Sequence, residues 1–153
     1  MTLDFELMQQ LVENLNVGIC VLNKDDHIVV FNRKVGEQLQ QENENRISSS
    51  ILRCHPERAE AGVLKMIGDL KSGELERYEG WVHFIGKHFY EYIYPIKDDN
   101  GNYLATVMEL HDAAERAEYL RMTEGWKPPE EHGLGESSPR TPFPRKFKQK
   151  EHH

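Results

Sequence analysis

Apolar residues recur every four positions at the start of the chain, at Leu3, Leu7, Leu11 and Leu15, with Phe5, Met8 and Val12 beside them. Glu6, Gln9, Gln10 and Glu13 share the other side. This spacing predicts a helix over residues 3 to 15 whose apolar face is wider than the roughly 100° that one contact surface requires. Asn16-Val17-Gly18 ends it. The period then shortens to two. Gly18 to Leu22 and His27 to Asn32 are apolar runs separated by Asn23-Lys24-Asp25-Asp26, which predicts a two-stranded hairpin. Arg33 to Gln41 follows as a short helix with Val35 and Leu39 facing in, and the polar, serine-rich residues 42 to 50 read as a loop. After Ile51-Leu52, Pro56 suits the first position of a longer helix and makes His55 its N-cap. Ala59, Val63, Met66, Ile67 and Leu70 share one face of that helix, and Gly73 stops it just past Lys71.

Three runs rich in aromatic and β-branched residues come next, and they predict a three-stranded antiparallel meander. The first is Tyr78 to Gly86, the second, after Lys87-His88, is Phe89 to Lys97, and the third is Tyr103 to Leu110. Asn100-Gly101 supplies the positive φ of a tight hairpin between the last two. The pattern turns helical at Asp112-Ala113-Ala114-Glu115-Arg116, where Asp112 is expected to cap a helix and Glu115 to complete a capping box. Residues 1 to 122 thus form one domain. Beyond Met122 periodicity is lost, and five prolines fall between 128 and 144. Residues 123 to 153 are therefore expected to be mostly disordered, as a Pro-rich, basic-ended tail.

The length of 153 residues suits one domain with its own core. A net charge of -7 argues against a general nucleic-acid binder. No run approaches the roughly 18 apolar residues of a membrane span, and the acidic start is unlike a signal peptide. Cys20 falls in an apolar strand and reads as a buried thiol rather than half of a disulfide with Cys54. A cytoplasmic protein fits all of this. The charge is unevenly placed: residues 1 to 122 hold 13 basic and 21 acidic groups, whereas Arg140, Arg145, Lys146, Lys148 and Lys150 gather near Phe143 and Phe147. That cluster reads either as a solubilising end or as a docking segment for an acidic partner, such as the acidic face of a second copy.

The order helix, two strands, small helices, longer helix, three strands resembles the PAS fold, an α+β domain with a five-stranded antiparallel sheet and helices on one face. "GICVLNKDDHIVVFN" at 18 to 32 resembles the first PAS hairpin. "DDNGNYLATVMELHDAAERAEYL" at 98 to 120 is similar to the PAS ending, with Asp112, Glu115 and Arg116 matching and Ala113 and Ala114 departing from it. Cys54-His55-Pro56 is most similar to PAS modules that carry Cys-His-Pro ahead of their long helix and are often attached to hemerythrin-like domains. With no kinase, cyclase or DNA-binding motif in the sequence, a signal must pass through another protein. The wide apolar face of the first helix predicts a homodimer.

The resemblance implies a small-molecule cavity between the long helix and the inner face of the sheet. Val63, Met66, Ile67 and Leu70 would form one wall, and Phe31, Phe84, Tyr92, Met108 and Leu110 the other. The same residues also read as ordinary core. Haem-binding PAS proteins ligate iron through a histidine on the long helix. Between Pro56 and Gly73 there is none, so haem would need His55, or Cys54 as thiolate. The context Arg53-Cys54-His55-Pro56 does not match the Asn-Cys-Arg-Phe-Leu-Gln of light-sensing flavin domains. His83, His88 and His111 fall on strands that could be neighbours, and Cys54-His55 could approach them, but nothing has the paired spacing of a structural zinc site. No phosphate loop, paired acidic motif or nucleophile with its base points to an enzyme.

Overall fold

The computed structural model describes residues 2–41, 47, 48, 50 and 60–126. The elements run α1 (Phe5–Asn14), β1 (Gly18–Leu22), β2 (Ile28–Phe31), α2 (Arg33–Leu39), α3 (Glu60–Ser72), β3 (Tyr78–Phe84), β4 (Lys87–Lys97), β5 (Tyr103–Asp112) and α4 (Ala114–Glu124). The strands form a single antiparallel sheet in the order β2-β1-β5-β4-β3. The first and last strands in sequence are thus joined at its centre. The α+β architecture expected from the hydrophobic pattern is present, including the N-terminal helix.

Strand register assigns each side chain to a face, because successive residues point to opposite sides. On β4, Phe89, Glu91 and Ile93 point inward and pair across β3 with Val82, Gly80 and Tyr78. On β5, Leu110 and Met108 stand opposite Glu91 and Ile93, and then opposite Gly18 and Cys20 on β1. One core cluster joins Cys20, Leu22, Ile28, Phe31, Val82, Phe89 and Leu110 to Val35 of α2 and Ile67 of α3. A second joins Leu70 to Tyr78 and Ile93, and Met108 touches both. Cys20 is buried, as its strand pattern implies.

Two local expectations are corrected. The turn between β3 and β4 falls at Ile85-Gly86, two residues before Lys87-His88, because both turn residues take positive φ, at 50° and 73°, and close a two-residue hairpin. Asp112 does not cap α4. It ends β5, where its carboxylate accepts a hydrogen bond from Gln38 Nε2 (2.9 Å) and pairs with Lys34 Nζ (3.2 Å), leaving Ala113 as an N-cap with no side-chain bond. Those contacts hold the Asp112 carboxyl below its usual range in spite of the opposing effect of burial.

α1 is tied down at one end. Its N-cap is Asp4, which accepts from Leu7 N–H at 2.9 Å. Its far end meets Asn32, a buried amide with every hydrogen-bonding position of its side chain used. Asn32 Nδ2 donates to the carbonyls of Val12 (2.8 Å) and Val17 (3.0 Å), and Oδ1 accepts from Ile19 N–H (2.9 Å) and Val35 N–H (3.1 Å). No residue of α1 is buried, and Leu3, Phe5, Met8 and Leu11 remain exposed.

Candidate functional site

The inner face of the sheet and α3 bring together most of the residues expected to wall a cavity. Ile67, Leu70, Phe31 and Leu110 are buried there, and Val63, Met66, Phe84 and Met108 pack against them while remaining half-buried. Tyr92 is a correction. It lies on the opposite face, because Phe89 and Ile93 fix the inward register of β4 and Tyr92 is out of phase with both. Cys54 and His55 lie outside the described residues, as does Pro56, the expected start of the long helix.

The inner-face residue that the sequence pattern conceals is Glu91. It is 1 % exposed, flanked along β4 by Phe89 and Ile93, with Gly80 on one side and Leu110 on the other. A carboxylate in such surroundings is held only by a hydrogen-bond donor or a cation beside it, since burial of a lone charge costs several kcal/mol at least (~5). Gly80 opposite it presents no side chain. The signal lies in the pairing of Tyr78 with Ile93 and Val82 with Phe89, which forces Glu91 inward.

The haem expectation rests on His55 or Cys54, which lie outside the described residues. The histidines among the described residues are His27 in the β1–β2 turn and His83, His88 and His111 on the outward register of β3, β4 and β5, so none stands on the inner face. Nor do three or more His, Cys, Asp or Glu groups gather into a metal site among the described residues. His83 and His88 instead stack on one another, with ring centroids 4.3 Å apart.

The outer face is a different surface. Tyr90, Tyr92 and Tyr94 line it along β4, and Trp81 on β3 meets Tyr90 edge-on at 5.3 Å. Tyr90 Oη donates to Glu79 Oε1 (2.8 Å), whose other oxygen pairs with Arg77 (2.9 Å). Tyr94 donates to Glu109, which also contacts His111 Nε2 at 2.9 Å. Burial, then the hydrogen bond to Glu109 and its negative charge, push the Tyr94 hydroxyl up to about 12. Burial and Glu79 raise Tyr90 further still. The hydrogen bonds from Tyr94 and His111 hold Glu109 below the usual carboxylate range against the effect of its own burial. No helix among the described residues is long and apolar enough to cross a membrane.

Comparison with known proteins agrees with this architecture. A family described as PAS domain matches residues 8–113. The C-terminal domain of a Streptococcus mutans protein is similar in structure, at TM-score 0.66 and 21% identity over 76% of this chain and 90% of that one. The PAS domain of Bordetella pertussis BvgS is similar at TM-score 0.58 and 20% identity, over 78% of this chain and 93% of that one. A Vibrio cholerae sensory box sensor histidine kinase is similar at TM-score 0.50 and 18% identity, over 70% and 90%. At these identities the structural likenesses show the fold alone. No curated protein matches the chain significantly.

Proposed function

The chain belongs to the PAS domain family, and from that premise we propose that it is a sensory module that binds a small ligand and signals through a partner protein, without catalysing a reaction of its own. The ligand lies between α3 and the inner face of the sheet. The observation that carries this reading is the inner face itself, where Val63, Met66, Phe84 and Met108 pack beside buried Ile67, Leu70 and Leu110 but are incompletely covered. Ligand sites are typically apolar with a few placed polar groups. The chemistry suited to this face is a small, mainly apolar molecule. A haem-like ligand would have to draw its iron ligand from Cys54 or His55.

Native mass spectrometry and an absorption spectrum of the freshly purified full chain test the proposal. The expected result is a retained small molecule that Met108→Trp, which fills the inner face, displaces and Tyr92→Ala, on the other face, does not. A Soret band lost in His55→Ala would identify haem. A chain that carries nothing, and is not stabilised by any member of a panel of amphiphilic amines and acids, would leave the alternative, a ligand-free PAS adaptor acting as a dimerisation or protein-interaction module. That reading is favoured by the way Met108 joins the two core clusters, as side chains filling their own cavity would.

The output side of the proposal is a homodimer formed through α1. Phe5, Met8 and Leu11 of α1 and Leu3 just before it are exposed, and no residue of the helix is fully buried; a second copy of the same acidic, apolar-striped helix is the proposed cover. Leu7→Glu with Leu11→Glu should convert the dimer to monomer in light scattering. A wild type that stays monomeric at high concentration removes this part without touching the ligand site.

A further inference from the structure

The outer face of the sheet is an aromatic surface, and the chain itself leads onto it. Trp81, Tyr90 and Tyr92 make successive edge-to-face contacts, Trp81 to Tyr90 at 5.3 Å and Tyr90 to Tyr92 at 5.4 Å. Two of the hydroxyls on this face are fixed by Glu79 and Glu109, so the rings stand as rigid ridges. The guanidinium of Arg77 lies 5.7 Å from the Tyr92 centroid. Among the described helices α2 packs on β1, α3 on β4 and β5, and α1 on α2, while α4 packs on β4, where the Ala113 N–H just before it donates to the His88 carbonyl.

At the end of α4 the chain turns back. Gly125 takes the left-handed conformation at φ 66°, its N–H donating to the Arg121 carbonyl. Trp126 is thereby laid against Trp81, ring centroids 4.8 Å apart. The last described residue is therefore already seated on the aromatic face. Beyond Trp126 the sequence runs Lys127-Pro128-Pro129, and later places Pro139, Pro142 and Pro144 around Phe143. From 138 to 150 there are five basic residues and no acidic one, against an excess of acidic groups in residues 1 to 122.

We propose that this outer face is the docking site for the chain's own C-terminal segment, with proline rings of residues 127 to 150 seated between Trp81, Tyr90 and Tyr92. Three physical reasons favour that occupant. Proline-rich chains bind aromatic ridges at low entropic cost because the extended left-handed helix is already their preferred form. Reach is ample: the 13 residues from Trp126 to Pro139 span about 40 Å at ~3.1 Å each, and a five-stranded sheet is only about 24 Å wide at ~4.8 Å per strand. The opposite charge of the two parts adds attraction. This inference does not rest on the ligand reading, since it concerns the other face of the sheet.

Limited tryptic digestion of the full chain, with intact mass as the readout, tests it. Cleavage after Arg140 and Arg145 is measured for each protein and divided by the rate for a synthetic 127–153 peptide of the same sequence. The expected result is several-fold protection in the wild type, unchanged over a hundredfold range of protein concentration. Tyr92→Ala should abolish it, and so should the double substitution Pro142→Ala, Pro144→Ala, which leaves the folded domain untouched. Cleavage at the peptide's rate in the wild type overturns the proposal. So does protection that grows with concentration, which would assign the face to a second copy, or protection that appears only when another protein is added. Protection that survives the proline substitutions would likewise sink it.

Discussion

Strand β4 carries two surfaces in alternation. Phe89, Glu91 and Ile93 face the interior, where Phe89 and Leu110 of the neighbouring strand are almost fully buried. Tyr90, Tyr92 and Tyr94 face the other way and remain half-buried. The inner side is held by shape, with aliphatic and aromatic groups packed around one carboxylate. The outer side is held by directed bonds, tyrosine hydroxyl to glutamate, ring edge to ring face. The difference teaches that aromatic density does not mark the core of a sheet. Tyrosine and tryptophan suit a partly wet face, because each has a polar tip that needs a partner.

The largest test of that contrast is on the inner side. Leu110→Ala should cost about 3 kcal/mol in urea unfolding, since a fully buried leucine leaves a cavity that its neighbours cannot close. A loss under about 1 kcal/mol would mean that the inner face repacks freely, contrary to the account of it as held by shape. On the outer side Tyr94→Phe removes one hydroxyl bond to Glu109 and should cost only about 1 kcal/mol, measured the same way. An effect as large as that of Leu110→Ala would erase the distinction between the faces.

The smallest effects are in pH. Tyr94 has its folded pKa raised to about 12 from the ordinary value of 10.0, so its contribution to stability is complete below the unfolded value and fades as pH rises between the two. Spectroscopic titration of the tyrosines should show a late-ionising fraction that Tyr94→Phe reduces. Glu109 carries the opposite sign. Its folded pKa is depressed, so its contribution is present above the unfolded value and is lost as pH falls through the usual carboxylate range toward the lower folded one. Stability of Glu109→Gln should therefore depend less on pH in mild acid than that of the wild type.

The same alternation explains how far the sequence is legible. Strand and helix positions follow from period and punctuation, and α3 keeps Ile67 and Leu70 on the face its spacing implies. Tyr92 reads onto the wrong side because β4 is apolar or aromatic at nearly every position, so its register depends on the pairing with β3. Glu91 is hidden by the same ambiguity, since a charge beside three tyrosines looks like an outward residue. Asp112 looks like a cap because its local sequence fits one, but the competing bond from Gln38 comes from 74 residues away. The aromatic outer face arises from three strands at once and has no linear signature.

Asn32 has a mechanical consequence. One amide fastens the last turn of α1, the start of β1 and the start of α2 at a single point. α1 is therefore a lever with its fulcrum at Asn32, about 15 Å long for its ten residues at ~1.5 Å each. A tilt of only about 4° at the fulcrum would move the free end, near Phe5, by roughly 1 Å over that length. A shift of β1 against β2 too small to disturb the packing around it is thus magnified where the helix is most exposed.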